Sequence, residues 1–448
     1  MIAMKKSKLP PGPKPKFPLG HLFSFRQDSI GFLRKIANEY GDIVHFKIGP
    51  IRIVLLNHPD FIKEVLTTQH RNFIKGRPLE MAKELLGEGL LTSEGEFHKR
   101  QSRLIQPAFH RNMIDSYASA MTKCITRLMN GWQNGMRVDM KDEMTKMSIA
   151  IAGKTFFNAD IEQDAMQISQ ALDTATSLFG RISLPFSEWL LKLPIPSTRR
   201  FYRAKATLDN TIYRMIDERR RNKVDNGDLV SLLLNSQGEK CERMSDQQVR
   251  DEALTLFLTA FDTTSTALTW TWYLLSQNPE AEAELHEELD RVLKGRLPTM
   301  EDLAQLKFTR MVFGEAMRIY PPSYLIPRQV LKDFAIDKYI LPRGTIILMS
   351  PYLIHHDSRF YPDPEKFNPH AWDKHSHSMN SKYEYFPFSR GPRSCIGEPL
   401  AWVQGILVLA SIAQLWRIKL VPDHPVELLP LINLRARYGM MMTLNSRK

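Results

Sequence analysis

The position in this chain with the most chemistry to offer is a cysteine at the end of a glycine-rich loop. The run Phe388-Ser389-Arg390-Gly391-Pro392-Arg393-Ser394-Cys395-Ile396-Gly397 reads F-x-x-G-x-R-x-C-x-G, and a helix-like stretch from Glu398 to Leu415 follows it. A thiol just before a helix sits against the positive end of the helix dipole and near free N–H groups. That favours the thiolate, the form that binds metals. Gly391 and Gly397 permit backbone geometry and a close approach of a flat ligand that a side chain forbids. A lone Cys is more often a small buried hydrophobe. By average composition, however, the five fixed positions should occur by chance in a chain this long on the order of once in ten thousand. Two further pairs could do chemistry. Asp262-Thr263, within Thr259-Ala260-Phe261-Asp262-Thr263-Thr264, sets an acid beside an alcohol, a pairing able to relay protons. The competing arrangement has Thr263 bonded back to its own helix and Asp262 paired with a basic side chain. Glu315-x-x-Arg318 sets acid and base on one helix face, by itself an ordinary weak bridge.

These groups need elements to hold them. Ala253 to Leu275 is apolar but carries many hydroxyls and one mid-segment charge, Asp262, with charged sequence on both flanks. Lipid makes such a charge costly, so the segment reads as a long central helix rather than a membrane span. Leu306 to Ile319 reads as a helix stopped by Pro321-Pro322 and carries the Glu315/Arg318 pair. Upstream, Ile30–Tyr40 and Pro59–Thr67 show helical spacing, and Ile43–Ile48 with Ile51–Leu56 form a hairpin about Gly49-Pro50. From Glu94 to about Asp290 most of the chain reads as helix, broken at Pro185, at Pro194 and Pro196, and at Asn226-Gly227. Short strands are expected near Tyr324–Val330, Tyr339–Leu341, Thr345–Met349, Glu427–Leu434 and Met440–Leu444, with an irregular stretch from Pro362 to Pro387. The fold class is mainly α with small β-sheets, one at each end of the sequence.

Composition narrows the class. The chain has 448 residues, 43% apolar and 25% charged, as in a globular protein able to bury a large core. Residues 1–20 form a basic, Pro-rich, extended segment, and 21–448 a single domain. Cys124, Cys241 and Cys395 are too few and too far apart for a disulfide framework, which points to a reducing compartment. The net charge of +12 comes without a nucleic-acid recognition module, so nucleic acid is excluded as a partner. Lys99, Arg100, Arg103 and Arg111 cluster around one helix, a docking face for an acidic partner. The basic start has neither a signal peptide nor a spanning helix. The expectation is a soluble cytoplasmic protein, with an anchor-truncated form of a membrane-bound one as the alternative.

The cysteine loop, the order of the other motifs and the order of elements resemble the cytochrome P450 superfamily over essentially the whole chain. The resemblance implies a P450 fold with a long central helix over heme b (iron protoporphyrin IX), and Cys395 as axial ligand of the heme iron. A thiolate there pushes electron density onto iron and favours O–O cleavage. Phe388, Gly391, Arg393 and Gly397 belong to the same loop, and Ala260 takes the place of a glycine that leaves room for a groove. Arg328 and Arg393 match cations for the heme propionates. A third match, W-x-x-x-R, becomes His98 and Ser102, so His98 can still donate but the arginine is lost. The resemblance makes Asp262 and Thr263 the oxygen-activation pair, with Asp262 linked to solvent and Thr263 donating to dioxygen. It makes Glu315 and Arg318 a buried brace under the loop. The usual third brace member is an arginine. The matching Pro369-His370-Ala371-Trp372 has Ala371 there, so either His370, Lys366 or Arg359 partly replaces it or the loop is held less firmly.

Matching also suggests pocket walls: Leu85, Leu86, Leu90, Phe257, Phe261, Tyr324, Leu325, Ile326, Leu431 and Ile432. They are mostly apolar, so the implied substrate is a small apolar molecule such as a fatty acid, terpenoid, steroid or polyketide. The implied activity is monooxygenation with O2. The electron donor is a ferredoxin or flavodoxin plus reductase, and the enzyme is a monomer. A peroxide-driven peroxygenase or heme-thiolate isomerase is the first alternative, and a non-catalytic heme or hydrophobic-ligand binding protein the second.

Overall fold

The computed structural model describes residues 9–158, 170–171, 174, 193, 195–222, 227–236, 243–373 and 382–447. The elements begin with α1 (Leu22–Gln27), α2 (Ser29–Tyr40), β1 (Ile43–Ile48), β2 (Ile51–Leu56), α3 (Pro59–Lys63), β3 (Phe73–Ile74), α4 (Arg77–Leu86) and α5 (Gly95–Ile105). The helical middle holds α6 (Arg111–Met129), β4 (Arg137–Asp139), α7 (Met140–Phe157), α8 (Pro196–Asn222), α9 (Leu229–Asn235), α10 (Asp246–Gln277), α11 (Pro279–Leu293) and α12 (Lys307–Ile319). Then come β5 (Ile326–Val330), β6 (Phe334–Ile336), β7 (Tyr339–Leu341), β8 (Ile346–Met349), α13 (Pro351–His355), α14 (Glu398–Ala413), β9 (Trp416–Leu420), β10 (Leu428–Pro430), β11 (Leu434–Ala436) and β12 (Met441–Ser446). Pro185, Pro194, Asn226 and Cys241 lie outside the described residues.

The sheets depart from the expectation of one at each end. A five-stranded sheet in the order β1-β2-β8-β5-β3 joins the first hairpin to strands from the last third of the chain. β2 runs parallel to β8, with Val54 opposite Ile347, so the helical middle is one long crossover. A second sheet, β4-β12-β9, ties the chain end to the start of α7. β3, β4, β6, β9 and β11 were not expected, and the strand predicted over Glu427–Leu434 turns instead into the β10–β11 hairpin; β3, β4, β6 and β11 have two or three residues each, too short for alternation to show. The predicted helix Pro59–Thr67 splits, because after Lys63 it widens into a π-turn over Glu64–Thr68. The described part of the N-terminal segment, from Leu9 onward, packs on the domain. The His45 N–H donates to the Pro11 carbonyl, and Gly12 lies so close to His45 that a Cβ has no room.

α10 runs through the main core. Ser245 and Gln248 form a reciprocal capping box at its start, and most of its residues are buried. Between Leu256 and Thr264 the burial breaks: Leu258, Thr259, Ala260, Asp262 and Thr263 are half-exposed. Among the described residues no helix is long and apolar enough to cross a membrane.

Candidate active site

The loop before α14 is built to present Cys395. The Cys395 N–H donates to the Phe388 carbonyl at 2.9 Å and the Ser389 N–H to Phe386 at 3.0 Å, closing a tight turn. Arg390 holds the turn from outside through the Lys382 carbonyl (3.2 Å) and the Tyr385 carbonyl (2.9 Å). Gly391 has φ +78° and its missing Cβ would sit 2.1 Å from the Leu66 carbonyl oxygen, so only glycine fits. Gly397 is different. Its φ of −85° suits any residue and an added Cβ would make ordinary contacts, with Cys395 Sγ 3.8 Å away, so a Cβ there would fill only the space beside the sulfur. The Cys395 side chain is accessible. Although the residue reaches the surface of the fold, the protein around its sulfur desolvates the thiol and pushes it up, and the Gly397 and Glu398 N–H groups and Lys75 partly oppose this. A coordinated metal cation favours the thiolate outright.

Beneath the loop, Glu315 and Arg318 on α12 form a buried two-point pair, Nε to Oε2 at 2.9 Å and Nη2 to Oε1 at 2.8 Å. Arg318 also donates to the carbonyls of His355, Pro364 and Lys366. Glu315 accepts from the Asn368 N–H and, at 2.9 Å, from the Trp372 indole N–H. Trp372 therefore takes the place that Ala371 leaves, and it packs on Gly314, where a Cβ would stand 3.3 Å from the indole. The expected substitutes do not serve. His370 pairs with Glu284, Arg359 with Asp357 and Asp42, and Lys366 contributes only its carbonyl. His355, which the sequence did not single out, joins brace to loop. The Arg318 carbonyl can only accept, so Nδ1 carries the proton (3.1 Å), and Nε2 accepts from the Phe386 N–H at 3.2 Å. Burial first, and then the Arg318 charge, hold the His355 ring neutral.

Cations gather beside the cysteine. Arg393 donates to the Ser93 carbonyl at 2.5 Å and to Glu94 at 3.0 Å. Glu94 also accepts from the Lys75 N–H at 2.7 Å, while Lys75 Nζ donates to the Leu91 carbonyl at 2.7 Å. Burial pulls the Lys75 ammonium well below its usual value, helped by Arg393 and Arg328. Burial and Arg393 bring Arg328 down to about 10. His98 falls to about 3 through burial, Arg393 and Lys75, so it is a neutral donor. Arg393 bonds Glu94 while the enclosed Arg328 donates to the Pro327 carbonyl, an arrangement that suits a ligand carrying carboxylates. Lys75 and Glu94 were missed from the sequence because neither lies in a motif.

On α10 both members of the acid–alcohol pair take the competing partners. Thr263 Oγ1 donates to the Thr259 carbonyl at 2.7 Å. Asp262 is held by Arg435 Nη2 and Asn433 Nδ2, each at 2.5 Å. Both residues nevertheless lie in the half-exposed stretch of the helix.

The sequence profile of cytochrome P450 matches residues 10–434. The chain belongs to the cytochrome P450 family. It is 35% identical to cyclooctatin synthase of Streptomyces melanosporofaciens, over 93% of this chain and 91% of that one. It is 35% identical to cyclooctat-9-en-7-ol 5-monooxygenase of the same organism (90% and 88%) and 32% identical to pentalenene oxygenase of Streptomyces avermitilis (91% and 91%). The chain is an enzyme with P450-type monooxygenase chemistry, and its α+β architecture around one long helix is the P450 fold. The family's cofactor is heme. The accessible Cys395, the space beside Gly397 and the enclosed cations fit it.

The remaining predicted residues separate in this P450. Phe257 and Phe261 are core: their rings meet at 5.5 Å, and Phe257 packs on Phe157 of α7 at 5.5 Å. The accessible apolar positions of that stretch are Leu258 and Ala260. Tyr324 packs with Tyr352 on the α2 side, Leu325 is half-buried and Ile326 belongs to the sheet core. Leu431 and Ile432 are exposed at the tip of the β10–β11 hairpin. Leu85 and Leu86 are buried, and their segment is clamped to α10. The Leu85 carbonyl accepts from Arg250 (2.8 Å), and the Glu88 and Leu90 N–H groups donate to Asp251 (2.9 Å) and Glu252 (2.8 Å).

Glu252 is buried, and burial raises its carboxyl to about 8, although the Leu90 N–H pulls the other way. The folded state therefore binds a proton that the unfolded chain releases near 4.5, and stability should fall as pH rises from about 4.5 to about 8. The slope from this group reaches at most about 1.4 kcal/mol per pH unit. Glu252→Gln removes the titration and keeps an acceptor for Leu90, so its unfolding free energy should be flatter across that window. Identical pH profiles for the two proteins would show that Glu252 is not the titrating group.

Proposed function

We propose that this enzyme is a heme-thiolate monooxygenase that hydroxylates or epoxidises a small apolar substrate. Its cofactor is iron protoporphyrin IX and its electrons come from a separate ferredoxin- or flavodoxin-type partner. The observation that carries the reading is that Asp262 and Thr263 lie in the half-exposed stretch of a central helix that is buried on either side of it, in a chain whose Cys395 loop is braced from beneath. When bound, thiolate-ligated heme supplies the electron transfer and dioxygen activation.

The chain's own groups do the rest. Cys395 Sγ holds the iron. Arg328, Arg393, Lys75 and neutral His98 hold the carboxylates at the heme edge. Thr263 carries a proton on Oγ1, and Asp262 takes protons from solvent and passes them towards it. Leu258, Ala260, Leu90 and Leu325 form an apolar wall that excludes water and orients the substrate by shape. The exposed Lys99 and Arg103 of α5 give an acidic electron donor a face to dock on.

The names of two relatives supply probes, pentalenene and cyclooctat-9-en-7-ol. Titrating the heme-loaded ferric protein with them, then with representative fatty acids, terpenoids, steroids and polyketides, should give a saturable low- to high-spin Soret shift for at least one class. No shift with any of them would contradict an apolar substrate. Turnover that requires peroxide and ignores reductant would favour a peroxygenase instead.

A further inference from the structure

We propose that Asn433 and Arg435 position Asp262 at the inner end of a polar cavity through which solvent protons reach it. The β10–β11 hairpin then sets the direction of the acid, and α10 alone does not. The proposal rests on the reading of Asp262 as the relay acid.

Each carboxylate oxygen of Asp262 has a donor from the hairpin: Arg435 on Oδ1 and Asn433 on Oδ2, both at 2.5 Å. The residue between them is fixed twice. The Leu434 carbonyl accepts from Trp270 Nε1 at 2.7 Å, and its N–H donates to the Pro322 carbonyl at 2.9 Å. Asn433 is itself buried, while the tip at Leu431 and Ile432 is exposed. The clamp is therefore anchored at its centre, and only the tip beyond it reaches solvent. A carboxylate held at both oxygens by an anchored clamp has a defined orientation, as a proton carrier needs.

Beside this clamp lies a cavity of about 40 Å³, lined among others by Lys141, Asp142, Thr145, Ser265, Thr266 and Arg435. One water needs roughly 10–15 Å³ of such space, so the cavity has room for two or three. The hydroxyls of Ser265 and Thr266 donate to the Asp262 carbonyl, at 3.1 and 2.8 Å, so their oxygens face outward as acceptors. At the outer end, Lys141 and Asp142 pair at 2.9 Å on the surface of α7. Besides Asp262, the titratable groups lining the space are Lys141 and Asp142 from α7 and Arg435 from β11. Asp142 can collect a proton from bulk water, and ordered water can pass it inward.

Two measurements test this in the heme-loaded ferric enzyme. First, amide hydrogen exchange of the hairpin is compared in Asp262→Asn, Arg435→Gln and the double variant. Each single change should speed exchange roughly ten-fold, and the double no further, because both remove one contact. Unchanged exchange, or single effects that multiply in the double variant, would overturn the clamp. Second, Arg435→Gln and the cavity-filling Thr145→Leu should each slow turnover roughly ten-fold, enlarge the solvent deuterium effect and shift the pH profile. Ligand affinity in the spin titration should stay the same, and Arg435→Lys should restore most of the rate. Parental rates and pH profiles in both variants would overturn the cavity route. Undiminished turnover in Asp262→Asn would overturn the relay reading itself, an outcome separate from the two above.

Discussion

Replacing Cys395 by alanine is expected to abolish turnover by about 10⁴-fold or more, the scale seen when a group at the centre of a reaction is removed. It should also remove the thiolate signature from the heme spectrum. The fold should survive. The residue is exposed, and the loop is held by the Cys395 N–H on Phe388, by Arg390 and by the glycine at 391. Thermal unfolding should move by no more than about 1 kcal/mol, as for a substitution away from a packed core. Heme affinity should fall but not vanish, because Lys75, Arg328, Arg393 and His98 still offer the edge contacts. Turnover within ten-fold of the parent would remove Cys395 from the chemistry.

The second large effect concerns the brace. Glu315→Ala should cost about 3–5 kcal/mol, because it leaves the Arg318 guanidinium buried without its counter-charge. It also strips the acceptor from the Trp372 indole and the Asn368 N–H. The damage should reach the cysteine loop through Arg318, His355 and Phe386. Trp372→Phe is a finer probe. It keeps the ring on Gly314 but removes one donor from Glu315, and should cost about 1–3 kcal/mol. Denaturant unfolding of the three proteins measures both. A loss below about 1 kcal/mol in Glu315→Ala would mean that the pair bears little of the load under the loop.

Much of this was legible in the sequence where one residue type has one feasible use. The β1–β2 hairpin is found with its predicted ends, because two short β-branched runs meet at the Gly49-Pro50 turn and that turn sets their register. α12 and α14 begin and end near their predicted limits, because Pro321 and the cysteine loop punctuate them. What could not be read was which distant side chains meet. β2 pairs with β8 across the whole helical middle, and no local pattern encodes that. The Trp372 indole fills the role of a missing arginine because the chain bends to place it there; composition pointed to cations instead. Lys75 lies outside every motif, and only the fold brings its charge to Arg328 and Arg393. Phe257 and Phe261 look like pocket walls in sequence, but helical geometry turns Phe257 towards α7 with Phe261 against it, and leaves Leu258 and Ala260 half-exposed. Asp262 and Thr263 are neighbours on α10, but each bonds elsewhere, Thr263 to the Thr259 carbonyl and Asp262 to the β10–β11 hairpin. Their present partners, Arg435 and Thr259, became visible only when the hairpin was placed beside α10.

The most direct test of the central claim is the carbon monoxide difference spectrum of the reduced, heme-loaded protein. A thiolate from Cys395 on the iron predicts a Soret band at the thiolate position. That band should persist on mild heating, because Trp372 completes the brace, and should be lost in Cys395→His. A parent band already at the position of a nitrogen- or thiol-ligated heme, or parent and variant spectra that coincide, would contradict it.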